Sequence, residues 1–366
     1  MKNSQILDLY TEYLIASFNL VTATGLSELV KVLSHDKISR FLGQRYFTPA
    51  DYWKCVKPLI RRVESEDGII KIDDTIEHKP HSKVNDIICY HWDHSNNCHV
   101  KGINILNFLY ESPLEQDSSI SIPVAYEVIH KTEEFFDKKS GKVKRRSKHS
   151  KNHLVRQRLR ILQKMNKVKY RYVTWDTWFS SNDNFRFVHF ELQKHFIAAI
   201  KDNRLAAISE EDRLQGKFNQ VKELDLQKDQ AITVWLKQLD IPLLLTKQVF
   251  TNKDGSQGEL YVVTNDLNLT CEVIYNTYDK RWGVEVFHKG LKQNVGLEKS
   301  PTKNEITQLN HIFAAMVAWT KLELLSLKAK CNHFALKKML YVKALEAAFL
   351  ELQNLKNQQS MIPLLE

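Results

Sequence analysis

The sequence predicts an α/β protein: a mixed β-sheet flanked by helices, with a β-rich insertion and helical regions at both ends. Three observations predict it. From residue 68 the apolar pattern shortens to strand-like runs, GIIKID (68–73), DIICYHW (86–92) and GINILNFLY (102–110), separated by polar turns. Helix, strand, helix and strand patterns then alternate over residues 152–200. Before residue 65 and after residue 303, apolar residues recur at helical spacing instead.

Taken in order, the first 65 residues read as helices. Thr48-Pro49-Ala50-Asp51 is a helix start, with Thr as N-cap, Pro at the first helical position and an acid at the third. Upstream, residues 26–33, a break at Ser34-His35-Asp36 and residues 37–42 fit a helix-turn-helix, with Lys37, Ser39 and Arg40 facing a groove. Two simply packed helices fit the same pattern. An amphipathic helix is expected over 152–166, with Leu154, Val155, Leu159, Leu162 and Met165 on one face. Arg156, Arg160, Lys164 and Lys167 occupy the other. A strand at 170–175, a helix at 184–195 and a strand at 196–200 follow. Residues 204–270 form the insertion, whose β-rich runs 242–251 and 259–264 are joined by a hairpin turn at Asn252-Lys253-Asp254-Gly255-Ser256. Two or three Leu-rich helices close the chain. The expected division is 1–65, 66–203, 204–270, 271–300 and 301–366.

A chain of 366 residues has room for two or three domains, and 43% hydrophobic with 26% charged residues is ordinary for a soluble protein. The net charge of +10 is concentrated: residues 138–171 hold 15 Lys and Arg and no acid, which leaves 10 − 15 = −5 for the rest. A dense basic stripe on a slightly acidic protein is the footprint of a nucleic-acid binder, and Lys144, Arg145, Arg146, Arg156 and Arg160 are its candidate contacts. A solvated basic loop has the same composition. Five scattered cysteines argue against a disulfide framework and for a reducing compartment. The first twenty residues lack the apolar core of a signal peptide, and the longest apolar run, 312–319, is too short to cross a bilayer. A cytoplasmic protein without membrane contact is expected.

The chemistry-bearing stretch is YDKRWGVEVFHKGLK, residues 278–292. Wound as one helix, it places Tyr278, Arg281, Glu285 and Lys292 within roughly 60° of each other, opposite Val284, Phe287 and Leu291. Asp73-Asp74-Thr75 stands where the first strand runs out, and Asp176 where the strand at 170–175 ends. Three carboxylates from distant parts of the chain suit two hard divalent cations about 3.5–4 Å apart. Alternation puts Asp73 and Asp74 on opposite strand faces, so one of the two points at such a site.

The spacing Tyr278-x2-Arg281-x3-Glu285-x6-Lys292 resembles the YREK motif of bacterial DDE transposases of insertion-sequence family four. The resemblance covers roughly residues 65–300. It implies a ribonuclease H-like core with a β-rich insertion between the second Asp and the Glu. It implies two Mg²⁺ ions, replaceable by Mn²⁺, on Asp73, Asp176 and Glu285. Catalytic Asp73 or Asp74, Asp176 and Glu285 would then act on DNA gripped by Tyr278, Arg281 and Lys292. The family often shows Asp, any residue, then Thr or Ser, which favours Asp73. Some members carry an acid before an Asp-Thr pair, which favours Asp74. The implied activity is cut-and-paste transposition by strand cleavage and strand transfer at terminal inverted repeats, in bacterial cytoplasm at the nucleoid. Implied partners are double-stranded donor and target DNA and a second copy in a synaptic homodimer. A DNA-binding relic without catalysis, or a ribonuclease H-like nuclease, are the alternatives.

Trp235 would be the insertion's candidate for stacking on a flipped base, and Trp178 and Trp282 would be walls of the site. Cys89, His91, His94, Cys98 and His99 lack the spacing of a structural zinc site and read as a His-rich strand and turn. Gly283 and Gly290 each cost a helix about 1 kcal/mol relative to Ala, which points to close approach by DNA or a neighbouring element.

Overall fold

Apolar residues at helical spacing fold the amino end into α1 (Asn3–Ala16), α2 (Ala23–Leu29) and α3 (His35–Gln44) in this computed structural model, which describes residues 2–93, 96–114, 118–138, 140–251 and 254–358. The Thr22 hydroxyl caps α2 by accepting from the Gly25 amide at 2.9 Å, and Ser34 precedes α3. The helix start read at residue 48 is α4 (Pro49–Val63): the Thr48 hydroxyl accepts from the Asp51 amide, and Asp51 accepts from the Thr48 amide in return.

Two units divide the chain, one of residues 1–47 and 289–366, the other of residues 48–288. The second holds the sheet. Its strands begin with β1 (Ile69–His78), β2 (Ile88–Asp93), β3 (Cys98–Pro113) and β4 (Ser119–Val128), then a separate hairpin of β5 (Glu133–Asp137) and β6 (Lys142–Arg146). Helix α5 (Lys151–Arg160) runs on through a π-helical turn to Met165, before β7 (Tyr172–Trp175). Helix α6 (Asn182–Arg186), again extended by a π-helical turn, leads into β8 (His195–Ile200). The insertion contributes β9 (Leu205–Ala207), α7 (Glu210–Leu214), β10 (Asn219–Gln220), β11 (Ala231–Leu236), β12 (Leu243–Thr251) and β13 (Gln257–Thr264). Helices α8 (Cys271–Asp279) and α9 (Gly283–Gln293) follow.

These strands form one eleven-stranded sheet in the order β10-β9-β11-β12-β13-β8-β7-β1-β3-β2, with β4 also paired on β3. β1 and β3 are antiparallel, while β1, β7 and β8 run parallel, so helices must carry the chain between them. A mixed sheet with flanking helices and this β3-β1-β7-β8 centre is the ribonuclease H-like arrangement expected. The insertion continues the same sheet through the β13–β8 pairing. Asn252 and Lys253 of the expected hairpin turn lie outside the described residues; β12 and β13 pair antiparallel up to Thr251 opposite Gln257.

Several strands carried no readable signal. β4 contains Pro123 inside an apolar run, which argues against a strand unless it lies at an edge, as β4 does on β3. The β5–β6 hairpin lacks buried apolar alternation and sets Glu133 opposite Arg146 and Glu134 opposite Arg145. Within the sheet unit, Trp175, Phe185 and Phe196 stack as a buried core, with 4.5 Å between the two Phe rings.

In the helical unit, α10 (Glu305–Ala329) is buried along much of its length and carries polar groups that tie the amino-terminal helices to it. The Asn310 amide donates to the Leu42 and Arg45 carbonyls at the end of α3, and its oxygen accepts from the Phe47 amide. Tyr10 meets His311 at 3.0 Å. Helix α11 (His333–Gln358) ends the described chain. Among the described residues no helix is long and apolar enough to cross a membrane. Gly290 packs under Trp319, where a Cβ would collide with the indole ring, so the neighbouring element is a helix of its own unit. Gly290→Ala should therefore destabilise the fold by about 1–3 kcal/mol. Urea denaturation measures this, and an unchanged midpoint would refute the tight packing.

Candidate active site

Parallel pairing of β1 with β7 sets Ile72 beside Trp175, so Asp73 and Asp176 are the next residues out on adjacent strands. Asp73 does not stand where its strand runs out, contrary to what the apolar run to residue 73 predicts: β1 continues to His78, because its polar second half is held by pairing with β3. Asp73 is pushed up to about 7, first by burial and then by the neighbouring Asp74 and Asp176 carboxylates; the Asp74 amide and Arg281 pull it back only in part. Asp176 is also raised, chiefly by burial, although its Oδ1 accepts from the Trp178 amide at 3.0 Å. Strand alternation turns Asp74 to the other face. There its Oδ2 accepts from Asn104 Nδ2 at 2.5 Å and from Lys151 Nζ at 2.7 Å.

The stretch 278–292 is not one helix. α8 stops at Asp279, a 3₁₀ turn spans Lys280–Trp282, and α9 starts at Gly283. Lys71, two residues before Asp73 on the same strand face, is 1% exposed and ion-paired with Glu111, which Lys280 also approaches at 3.8 Å. A Cβ on Gly283 would stand 2.6 Å from Lys71 Nζ, so glycine lets α9 begin over this buried pair without displacing the ammonium. Further along, His288 Nε2 meets Asn107 Nδ2 at 3.0 Å, and Asn107 lies opposite Asp73 in the sheet. These anchors hold α9 across the strand face that carries Asp73.

The break redistributes the four motif residues. Tyr278 is buried with Ile69, Tyr172 and Ile197 rather than exposed on a polar stripe, and its hydroxyl is pushed up to about 12 by burial. Arg281 lies with its guanidinium carbon 5.7 Å from the Tyr278 ring and donates to Glu285 Oε1 at 2.8 Å. Burial works against its charge, but Tyr278, Glu285 and Asp73 hold its pKa above the usual value. Its Nε is buried with no hydrogen-bond partner among the described residues. Lys292 ion-pairs with Glu298 at 3.2 Å. No group of three His, Cys, Asp or Glu among the described residues is arranged to hold a metal ion, and Glu285 is instead engaged by Arg281.

The basic stripe is laid against acids. Lys144 pairs with Asp137, Arg145 with Asp86 and Glu134, Arg146 with Glu133, and Arg160 with Glu191. Arg156 donates to Asn184 at 2.8 Å and lies 3.8 Å from Asp183. Trp178 and Trp282 are 53% and 61% exposed, and Lys151 Nζ lies 5.7 Å from the Trp178 ring. Trp235 is part of β11. Cys89 and His91 are buried on β2; His91 is lowered to about 3 by burial and by Lys131 and Lys151, and His94 lies outside the described residues. Lys71, Glu111, Asn107 and Lys151, which shape the surroundings of Asp73 and Asp74, were not singled out from the sequence. The available signal was the lysine interrupting the apolar start of β1.

With a folded-state pKa near 7 against an ordinary 3.8, Asp73 favours the fold while protonated. That contribution is present at low pH and is lost as pH rises from about 4 through 7. Asp73→Asn, which keeps the shape and removes the charge, should raise Tm at pH 8 in the presence of chelator, with the gain shrinking toward pH 4. A Tm difference that is the same at both ends would count against the buried carboxylate pair.

Comparison with known proteins gives two findings. Residues 22–332 match the family model described as archaeal putative transposase ISC1217. Over 70 residues the chain is also 33% identical to the probable transposase for insertion sequence element IS5377 of Geobacillus stearothermophilus. That second match spans 19% of each chain, about a fifth of the relative's length. Because the family match runs through both units and all the candidate acids, the chain belongs to this transposase family.

Proposed function

We propose that the chain is a DDE transposase that cleaves DNA at the terminal inverted repeats of an insertion sequence and transfers the freed 3′ ends to a target. One observation carries the reading. Asp73 and Asp176, the residues just past the last pair of the parallel β1–β7 ladder, are both driven toward protonation by burial, and Arg281 lies within electrostatic reach of both while bonded to Glu285. Carboxylates destabilised in this way fit hard divalent cations, Mg²⁺ or Mn²⁺, whose charge offsets their repulsion. Asp73, Asp176 and Glu285 would hold them, with Asp74 kept on the other face by Lys151 and Asn104. When bound, two such ions supply an activated water or 3′ hydroxyl and stabilise the leaving oxygen.

The chain's own groups do the rest. Arg281 has a buried unbonded Nε and donates a charge-assisted hydrogen bond to a phosphate oxygen. Once a phosphate engages the guanidinium, Glu285 is released from its ion pair to join the aspartates. Tyr278, protonated and under Arg281, fixes the plane of that guanidinium. Lys292 exchanges Glu298 for phosphate. Lys144, Arg145, Arg146, Arg156 and Arg160 do the same along the DNA backbone, because exposed ion pairs are worth only about 0–1 kcal/mol and yield to a polyanion. Two ends brought together imply a homodimer in the synaptic complex.

Glu285→Gln should lower cleavage of terminal-repeat DNA by at least about a thousandfold, roughly 4 kcal/mol of barrier, while DNA binding persists. Near-normal cleavage by that variant would sink the proposal. Arg281→Ala should weaken end binding and cleavage together in a variant with an unchanged melting curve; normal binding would remove the phosphate role. Asp73→Asn and Asp74→Asn separate the first acid: loss of divalent-dependent cleavage is expected in the former, and a milder defect in the latter.

A further inference from the structure

The β5–β6 hairpin is a two-stranded ribbon separate from the eleven-stranded sheet. A lone hairpin is marginal in water, and this one is fixed at its root by polar contacts. Just before β5, the Lys131 amide donates to the Asp86 carbonyl at 2.7 Å, and Lys131 Nζ donates to the Tyr90 carbonyl at 2.6 Å. Toward the tip, on the ribbon face that carries Glu134 and Arg145, Phe136 and Val143 sit directly opposite each other. They are 63% and 66% exposed, an apolar cross-strand pair with water over it.

Charge says what would cover the pair. Residues 138–148 hold seven Lys and Arg and no acid. Lys138 and Lys142 are exposed at the two ends of the turn that joins the strands. An exposed aromatic ringed by cations is complementary to duplex DNA. Apolar side chains enter such a duplex from the minor groove and part a base step while basic groups hold the phosphates beside it. Position favours DNA as well. Lys151 follows Arg146 by five positions, a reach of at most about 18 Å, and Lys151 bonds Asp74 beside Asp73. The ribbon's root therefore lies within one turn of duplex, about 34 Å, of the candidate acids.

We infer that Phe136, backed by Val143, is a wedge that enters a base step of duplex DNA and kinks it, with Lys138 and Lys142 on the flanking phosphates. The wedge rests on the transposase reading and adds a deforming contact that a grip on phosphates does not supply. Energy transfer between dyes at the two ends of a duplex reports bending. One labelled duplex carries the terminal repeat; another, of unrelated sequence, is offered to the complex of the chain with pre-cut ends. The parent chain should raise transfer in at least one, which tells donor from target. Phe136→Ser with Val143→Ser should keep the parent's melting curve, because both side chains are exposed. It should also keep the parent's salt dependence of binding, yet return transfer to the level of free DNA. Phe136→Leu, still an apolar wedge, should bend DNA as the parent does. Lys138→Ala with Lys142→Ala should instead lower the slope of log affinity against log salt by about two. A parent that bends neither duplex, a double Ser variant that bends as the parent does, or binding to phosphatidylglycerol vesicles that this variant loses would each overturn the wedge. A parent that bends DNA but cuts none with divalent cations would overturn the transposase reading and leave the wedge standing.

Discussion

Two carboxylates set just past the last pair of two neighbouring parallel strands repel each other, and burial removes the water that would screen them. Much else in the sheet unit is arranged around that cost. Parallel pairing of β1 and β7 fixes where Asp73 and Asp176 emerge, and the helical crossover that parallel strands require supplies α5. Arg281 provides positive charge within reach of both acids and is itself steadied by Glu285 and by the Tyr278 ring. Without those contacts a guanidinium this buried would be costly to keep charged. An acid pair held under such tension has a standing affinity for cations, which is the physical link between this fold and metal-assisted phosphoryl chemistry.

Beneath the acids lies a second electrostatic device of a different kind. The Lys71–Glu111 pair is almost wholly excluded from solvent, so removing one partner would leave an uncompensated buried charge. Its value is positional. Because Gly283 has no side chain, α9 can start directly over Lys71, just after the 3₁₀ turn at Lys280–Trp282. Tyr278 lies in the core on the same face of α8 as Ile274, while Arg281 and Glu285 stand one helical turn apart and bonded. The basic stripe obeys the opposite rule. Its ion pairs are mostly near the surface, where water and salt weaken them, and partners held so loosely are readily exchanged.

The helical unit shows how polar groups can organise an apolar bundle. Asn310 satisfies carbonyls at the end of α3 that have no intrahelical partner, and His311 bridges Tyr10 to the Gly296 and Leu297 carbonyls. Those bonds tie the amino-terminal helices to one from the far end of the chain. Among the described residues, helix α11 is tied to its unit through its first turns, by Lys337 on the Ser17 carbonyl and by Phe18 against Tyr341.

Much of the fold was legible in local sequence because periodicity is a local property. The runs at 68–73, 86–92, 102–110 and 170–175 became β1, β2, β3 and β7, and the Thr48-Pro49 start became α4, because alternation and capping depend on neighbours a few residues away. The candidate acids and the Tyr-Arg-Glu-Lys spacing were likewise readable as residue types at set intervals. Three things were not. β4 hid behind Pro123, and the β5–β6 hairpin, without apolar alternation, pairs charges across its strands. The burial of Tyr278 was the third, because it packs with Ile69, Tyr172 and Ile197, residues far back in the chain. Opposite faces for Asp73 and Asp74 followed from strand alternation alone. That Asp74 is held by Asn104 and Lys151 while Arg281 acts on Asp73 depends on strand pairing and helix packing across distant segments, the nonlocal contacts that a linear pattern does not encode.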